Sequence, residues 1–218
     1  MPASSVAQAR ALTRGEIVAD GVVHAIGLGA AIVGAGVLIV WLAIPDGLEA
    51  VAAATVYGLG LIAMFAFSAI YNFGDNPGRG DIWRRLDHAA IFLMIAGTYT
   101  PFTTGPIDGG WAIGLTAGVW TLAGIGILLK LALAPAQSQL ISTILYVAFG
   151  WVGIVAAGPF LSALSPTVVA LLVAGGLVYT AGTIFFGLRR LPYQRAIWHG
   201  FVLAGAAIHF CAIWAVTA

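Results

Sequence analysis

Apolar runs of roughly twenty residues, cut by short clusters of Pro, Gly and charge, repeat from one end of the chain to the other. A helix that crosses a bilayer needs about 20 mostly apolar residues. Seven segments qualify: 21–44, 48–73, 87–104, 111–133, 140–161, 167–188 and 196–216. Between them lie residues that stop helices: Pro45-Asp46-Gly47, Asp75-Asn76-Pro77-Gly78, Pro106 with Asp108-Gly109-Gly110, Pro135 and Ser165-Pro166. The pattern predicts an all-α membrane protein, a seven-transmembrane helix bundle. Residues 1–15 form an N-terminal tail and 16–218 a single transmembrane domain.

Composition narrows this further. Hydrophobic residues make up 61% of the chain and charged ones 8%, where a soluble domain carries roughly a quarter charged. A water-facing surface cannot be built from so little charge. The first apolar stretch is longer than the roughly 7–15 residues of a signal-peptide core, so the first helix is expected to be retained. Cys211 is the one cysteine, which excludes an intramolecular disulfide and a cysteine-based metal cluster. Gly-rich runs such as Gly27-Leu28-Gly29 suit close helix packing in lipid.

The basic residues give a direction. Arg10 and Arg14 precede span one, Arg79, Arg84 and Arg85 lie between spans two and three, Lys130 ends span four, and Arg189, Arg190 and Arg195 precede span seven. The other connections and the C-terminal tail carry none. The positive-inside rule then predicts a cytoplasmic N-terminus and a C-terminus outside. That direction disfavours a G-protein-coupled receptor. A retinal protein would need a lysine in mid-helix, and Lys130 lies at a helix end. No retinal, heme, nucleotide or nucleic-acid partner is expected.

With this topology, the polar residues of four helices fall at one membrane depth on the cytoplasmic side. Glu16, Asp20 and His24 are spaced four apart and form one stripe on the first helix. Ser68 and Asn72 share a face of the second, Asp87 and His88 open the third, and Arg195 and His199 open the seventh. His209 lies about 15 Å deeper, at 1.5 Å of rise per residue. Long arginines near helix ends snorkel to the headgroups. Asp87 is too short for that, and an ionisable residue in a span is a functional-site candidate by default.

These residues resemble the hemolysin III family, the bacterial branch of the progestin and adipoQ receptor (PAQR) superfamily. The likeness covers nearly the whole chain: Glu16, Asp20 and His24-Ala-Ile-Gly, SAIYN at 68–72, LDHAAIFLMIAGTYTPF at 86–102, GGLVY at 175–179 and AIWHGFVLAGAAIHF at 196–210. It implies a multi-pass protein of the bacterial cytoplasmic membrane, with zinc near the cytoplasmic face. The zinc would be held by a histidine closing SxxxH on the second helix and two from HxxxH on the seventh, with a serine and an aspartate beside it. Ser68, Asp87 and His199 match that pattern, and Ser68 and Asp87 become the catalytic candidates. Asn72 and Arg195 stand at the other two ligand positions, so His199 is the one matching metal ligand. An amide ligates zinc poorly and a guanidinium cannot be deprotonated to do so. Arg195 is therefore expected to replace zinc electrostatically by pairing with Asp87, within a network of Asn72 and His199. A rescue zinc site from His24, His88 and His199 is the alternative.

Three functions compete. One is a lipid- or small-ligand-responsive homeostasis protein, receptor-like, with a cytoplasm-facing polar cavity and membrane lipids as partners. Another is a zinc-dependent hydrolase of lipid amides, of the ceramidase type. The third is a pore-forming cytolysin, which would want polar stripes along several helices, and spans four to six have few polar residues.

Overall fold

The computed structural model describes residues 11–43, 47–74, 80–132 and 139–217. Arg10, Pro45, Asp46, residues 75–78, Arg79 and Pro135 of the readings above lie outside these. The described elements are helical: α1 (Arg14–Leu42), α2 (Gly47–Phe73), α3 (Gly80–Thr103), α4 (Gly109–Ala132), α5 (Gln139–Gly150), a 3-10 turn (Val152–Ala156), α6 (Ala157–Ala163), α7 (Pro166–Gly187) and α8 (Gln194–Thr217). There are no strands among the described residues. Six segments are long and apolar enough to cross a membrane, counting 139–163 as one; α3, with Asp81, Arg84, Arg85, Asp87 and His88 in its first turns, is not among them.

The ends form as local chemistry dictates. Thr13 caps α1 in a capping box: its hydroxyl accepts from the Glu16 amide at 3.3 Å, and the Glu16 carboxylate accepts from the Thr13 amide at 2.8 Å. Ser165 caps α7, with Pro166 at the first helical position where its missing N–H costs nothing.

The burial pattern is inverted relative to a water-soluble bundle. The inward face of α1 runs Glu16, Asp20, His24, Gly27, Ala31, Ala35, Leu38 and Leu42, while Val18, Val22, Ile26 and Val33 face outward. In hydrocarbon an outward valine costs nothing, and a carboxylate must turn inward to find a partner. Cys211 lies exposed on the outer face. Neighbouring helices approach closely where glycines meet backbone. A Cβ on Gly60 of α2 would lie 3.3 Å from the Met94 Cα of α3, and one on Gly97 would lie 3.4 Å from the Tyr57 Cα.

Two expected boundaries are corrected. The third helix begins at Gly80 rather than at 87, so Asp87 and His88 sit about two turns inside it. The segment expected as one span at 140–161 is broken into α5, the 3-10 turn and α6. Its break is stabilised from α3: the Tyr99 hydroxyl donates to the Gly150 carbonyl at 2.7 Å and accepts from the Gly153 amide at 2.8 Å. Backbone groups released by the break thus find a side-chain partner, as the hydrocarbon interior requires.

Candidate functional site

The paired helices α1, α2 and α8 bring their polar residues to one point. Asp20, on the inward stripe of α1, is 1% exposed. Its Oδ1 accepts from His199 Nδ1 of α8 at 2.5 Å. Its Oδ2 lies 3.4 Å from Arg195 Nε, one turn earlier on the same helix. Its backbone carbonyl accepts from His24 Nδ1 at 2.9 Å. One residue therefore orients two imidazoles and neutralises one guanidinium.

These bonds fix the tautomers. A carbonyl only accepts, so His24 Nδ1 carries a proton and its Nε2 presents a lone pair. In a neutral ring, His199 Nδ1 donating to a carboxylate leaves its Nε2 with a lone pair as well. Both Nε2 atoms converge on the Ser68 hydroxyl of α2, His24 at 3.1 Å and His199 at 3.5 Å, with the two ring centroids 4.2 Å apart. Asn72, one turn beyond Ser68, donates to the Ser68 carbonyl at 2.9 Å and its hydroxyl at 3.3 Å. The Asn72 carbonyl oxygen accepts from the Arg195 guanidinium.

The carboxylate expected to pair with Arg195 is thus corrected: the ion pair is with Asp20, because α1 packs directly on α8. Asp87 approaches from α3, half-buried, its carboxylate within hydrogen-bond reach of the Ser68 hydroxyl and with His88 Nδ1 at 3.7 Å. His88 itself turns away, its Nδ1 donating to the Arg84 carbonyl at 2.6 Å. It takes no part in a cluster with His24 and His199. Glu16 lies at the rim and ties two elements together, its Oε1 accepting from the Tyr193 amide at 2.9 Å just before α8. Tyr193 has a φ of 57°, a left-handed conformation uncommon outside glycine, and this bond helps hold it.

A cavity of about 1620 Å³ opens onto this cluster. Near Ser68 it is lined by Asn72, Asp87, Arg195 and His199, and it runs on past Met94, Tyr99, Phe102, Phe160 and Leu172 to His209. Arg84, Arg85, Arg189 and Arg190 also line it. The broken α5–α6 segment forms one side. No sequence signal pointed to that wall, because the break depends on Tyr99, 51 residues away from the Gly150 carbonyl it bonds.

The implied zinc can be tested against the donors present. At the positions matching SxxxH and HxxxH, the Asn72 amide is engaged by Ser68 and Arg195, and Arg195 is a cation already paired with Asp20. Those positions do not fit zinc. Asp20, His24 and His199 do offer ligand atoms within 4.8 Å of one another, a grouping that could hold a metal ion. Both Nδ1 atoms there are bonded to Asp20, so the two Nε2 atoms facing Ser68 are the histidine lone pairs left for a metal, and Arg195 already balances the Asp20 charge.

The Haemolysin-III related family model matches residues 16–210. The chain is 35% identical over 200 residues to the Hemolysin-3 homolog of Bacillus subtilis (strain 168), covering 91% of this chain and 93% of that one. It is 38% identical over 204 residues to Hemolysin-3 of Bacillus cereus, covering 92% of each. A PAQR protein, the human Monocyte to macrophage differentiation factor, is 26% identical over 186 residues, covering 74% of this chain and 68% of that one. The chain is a multi-pass integral membrane protein, and it belongs to the hemolysin III family.

Proposed function

We propose that this protein is a lipid-responsive, receptor-like factor of membrane homeostasis whose cavity takes an acyl lipid with an anionic headgroup. In this reading it crosses the membrane seven times with α3 as the third span, its N-terminus in the cytoplasm and its C-terminus outside. The alternation of the basic residues supports that direction, and the charged residues clustered in the first turns of α3 account for its low hydropathy.

The observation that carries the proposal is the gradient along one continuous cavity. Its arginine-lined end suits a phosphate or carboxylate. Its inner end, between Phe102, Phe160 and Leu172, suits a hydrocarbon chain. An aqueous metabolite would leave that inner wall against water.

The test is mass spectrometry of the purified protein released intact from detergent, then from nanodiscs of anionic or zwitterionic phospholipid. One anionic lipid per chain should be retained. Exchanging Arg84 and Arg190 together for glutamine should weaken it by about 2 kcal/mol, roughly thirtyfold, at about 1 kcal/mol for each cation. Recovery of no lipid, or equal retention of zwitterionic lipid, would remove this reading.

A further inference from the structure

We infer that Ser68, His199 and Asp20 form a metal-free nucleophilic triad that cleaves the acyl ester of a lipid held in the cavity. The inference rests on the acyl-lipid reading above and adds chemistry to it. Three observations carry it: the order of the bonds, the burial of the acid, and the place of the serine.

The order is hydroxyl, imidazole, carboxylate. Ser68 Oγ meets His199 Nε2 at 3.5 Å, and His199 Nδ1 meets Asp20 Oδ1 at 2.5 Å. Such triads are recognised by geometry and role rather than by sequence order, and the nucleophile–base contact is commonly long before substrate binds. Asp20 is buried, with Oδ1 on the imidazole and Oδ2 3.4 Å from the Arg195 guanidinium behind it. Ser68 lines the cavity where its polar and apolar parts meet, which is where the carbonyl of an acyl lipid would lie.

His24, at 3.1 Å, and the Asp87 carboxylate of α3 compete for the same hydroxyl proton. The His24 Nδ1 bonds a carbonyl, with the Asp20 carboxylate further off at 3.5 Å. A carboxylate in direct contact stabilises an imidazolium better than a carbonyl does. His199 is accordingly the base, and His24 holds the hydroxyl at rest.

The step balances without an oxidant or a metal. Ser68 Oγ bonds the acyl carbon as its proton passes to His199 Nε2. The carbon–oxygen bond to the headgroup alcohol breaks, and that alcohol leaves with the proton. Water entering from the open end of the cavity then attacks the acyl carbon, giving its proton to His199. The Ser68 bond breaks, the hydroxyl recovers that proton, and a carboxylic acid is released. The Arg195 guanidinium, which lines the cavity beside Ser68 and has N–H groups beyond those bound to Asp20 and Asn72, is the donor available to the developing oxyanion.

The decisive experiment is labelling of the purified full chain with a long-chain alkyl fluorophosphonate, which bonds an activated serine whatever the natural substrate. One adduct per chain should appear on Ser68 and none in Ser68→Ala. His199→Ala should label about a hundredfold more slowly or worse. Asp20 acts through His199, so Asp20→Asn should lower the maximal labelling rate while the probe concentration for half-maximal rate stays the same. A chelator should change nothing. A folded wild type that leaves Ser68 unlabelled overturns the triad, as does labelling indifferent to His199→Ala or abolished by chelation. Retained anionic lipid in an unlabelled protein would overturn the triad alone, whereas labelling of the wild type with no lipid retained by Ser68→Ala, which cannot cleave it, would overturn the binding reading.

Discussion

Two histidines on α8, ten positions apart, look alike in sequence and differ in structure. His199 has a carboxylate behind it at 2.5 Å and a hydroxyl in front at 3.5 Å. His209 donates one hydrogen bond, from Nε2 to the Leu172 carbonyl at 3.2 Å, and packs near Tyr179 with centroids 5.5 Å apart. Both line the same cavity. The first is poised to move a proton between two groups, and the second is a satisfied packing residue. The distinction lies in what stands behind the ring.

The largest effect expected at the His199 end comes from restoring the histidines that the family pattern implies. In Asn72→His/Arg195→His, three imidazoles replace an amide, a guanidinium and one imidazole. Asp20 would then balance a divalent ion in place of Arg195. The double variant should bind one zinc per chain and gain about 4 kcal/mol against unfolding at free zinc a thousandfold above its dissociation constant. The wild type should hold none after dialysis. Elemental analysis finding stoichiometric zinc in the wild type would show that Arg195 does not stand in for the ion.

Next in size is Asp20→Ala. It leaves Arg195 without its counter-ion and His199 without its orienting partner. Removing one member of a buried pair costs about 3–5 kcal/mol; Arg195 is 31% exposed, so the lower end, about 3 kcal/mol, is expected in denaturant unfolding. A loss under about 1 kcal/mol would mean water already screens the pair, as it does for surface ion pairs.

Much of this was legible in the sequence. Apolar length and turn residues located the helices, and the four-residue spacing of Glu16, Asp20 and His24 put all three on the inward face. The chemistry that failed at Asn72 and Arg195 was legible too, from residue type alone. The partner of Arg195 was not, because Asp20 and Asp87 are both carboxylates at similar depth and choosing between them requires knowing that α1 packs beside α8. The broken α5–α6 segment was hidden for a related reason. Its glycines permit a break, but the Tyr99 hydroxyl that stabilises one comes from another helix.

The smallest effect is expected at the other histidine. Gly175 of α7 lies against the His209 ring, where any Cβ would overlap it, so the ring is held by shape as well as by its bond. His209→Leu keeps an apolar side chain of similar bulk and removes the donor to Leu172. Interhelical hydrogen bonds in membranes average about 0.6 kcal/mol, because the freed carbonyl finds other partners. Unfolding should register about that loss, and fluorophosphonate labelling of Ser68 should proceed at the wild-type rate. If His209→Leu slowed labelling as much as His199→Ala, the two ends of the cavity would be one coupled site. A proton path along α8 would then be needed to join them, and a single bond to the Leu172 carbonyl gives His209 no second group to pass a proton to.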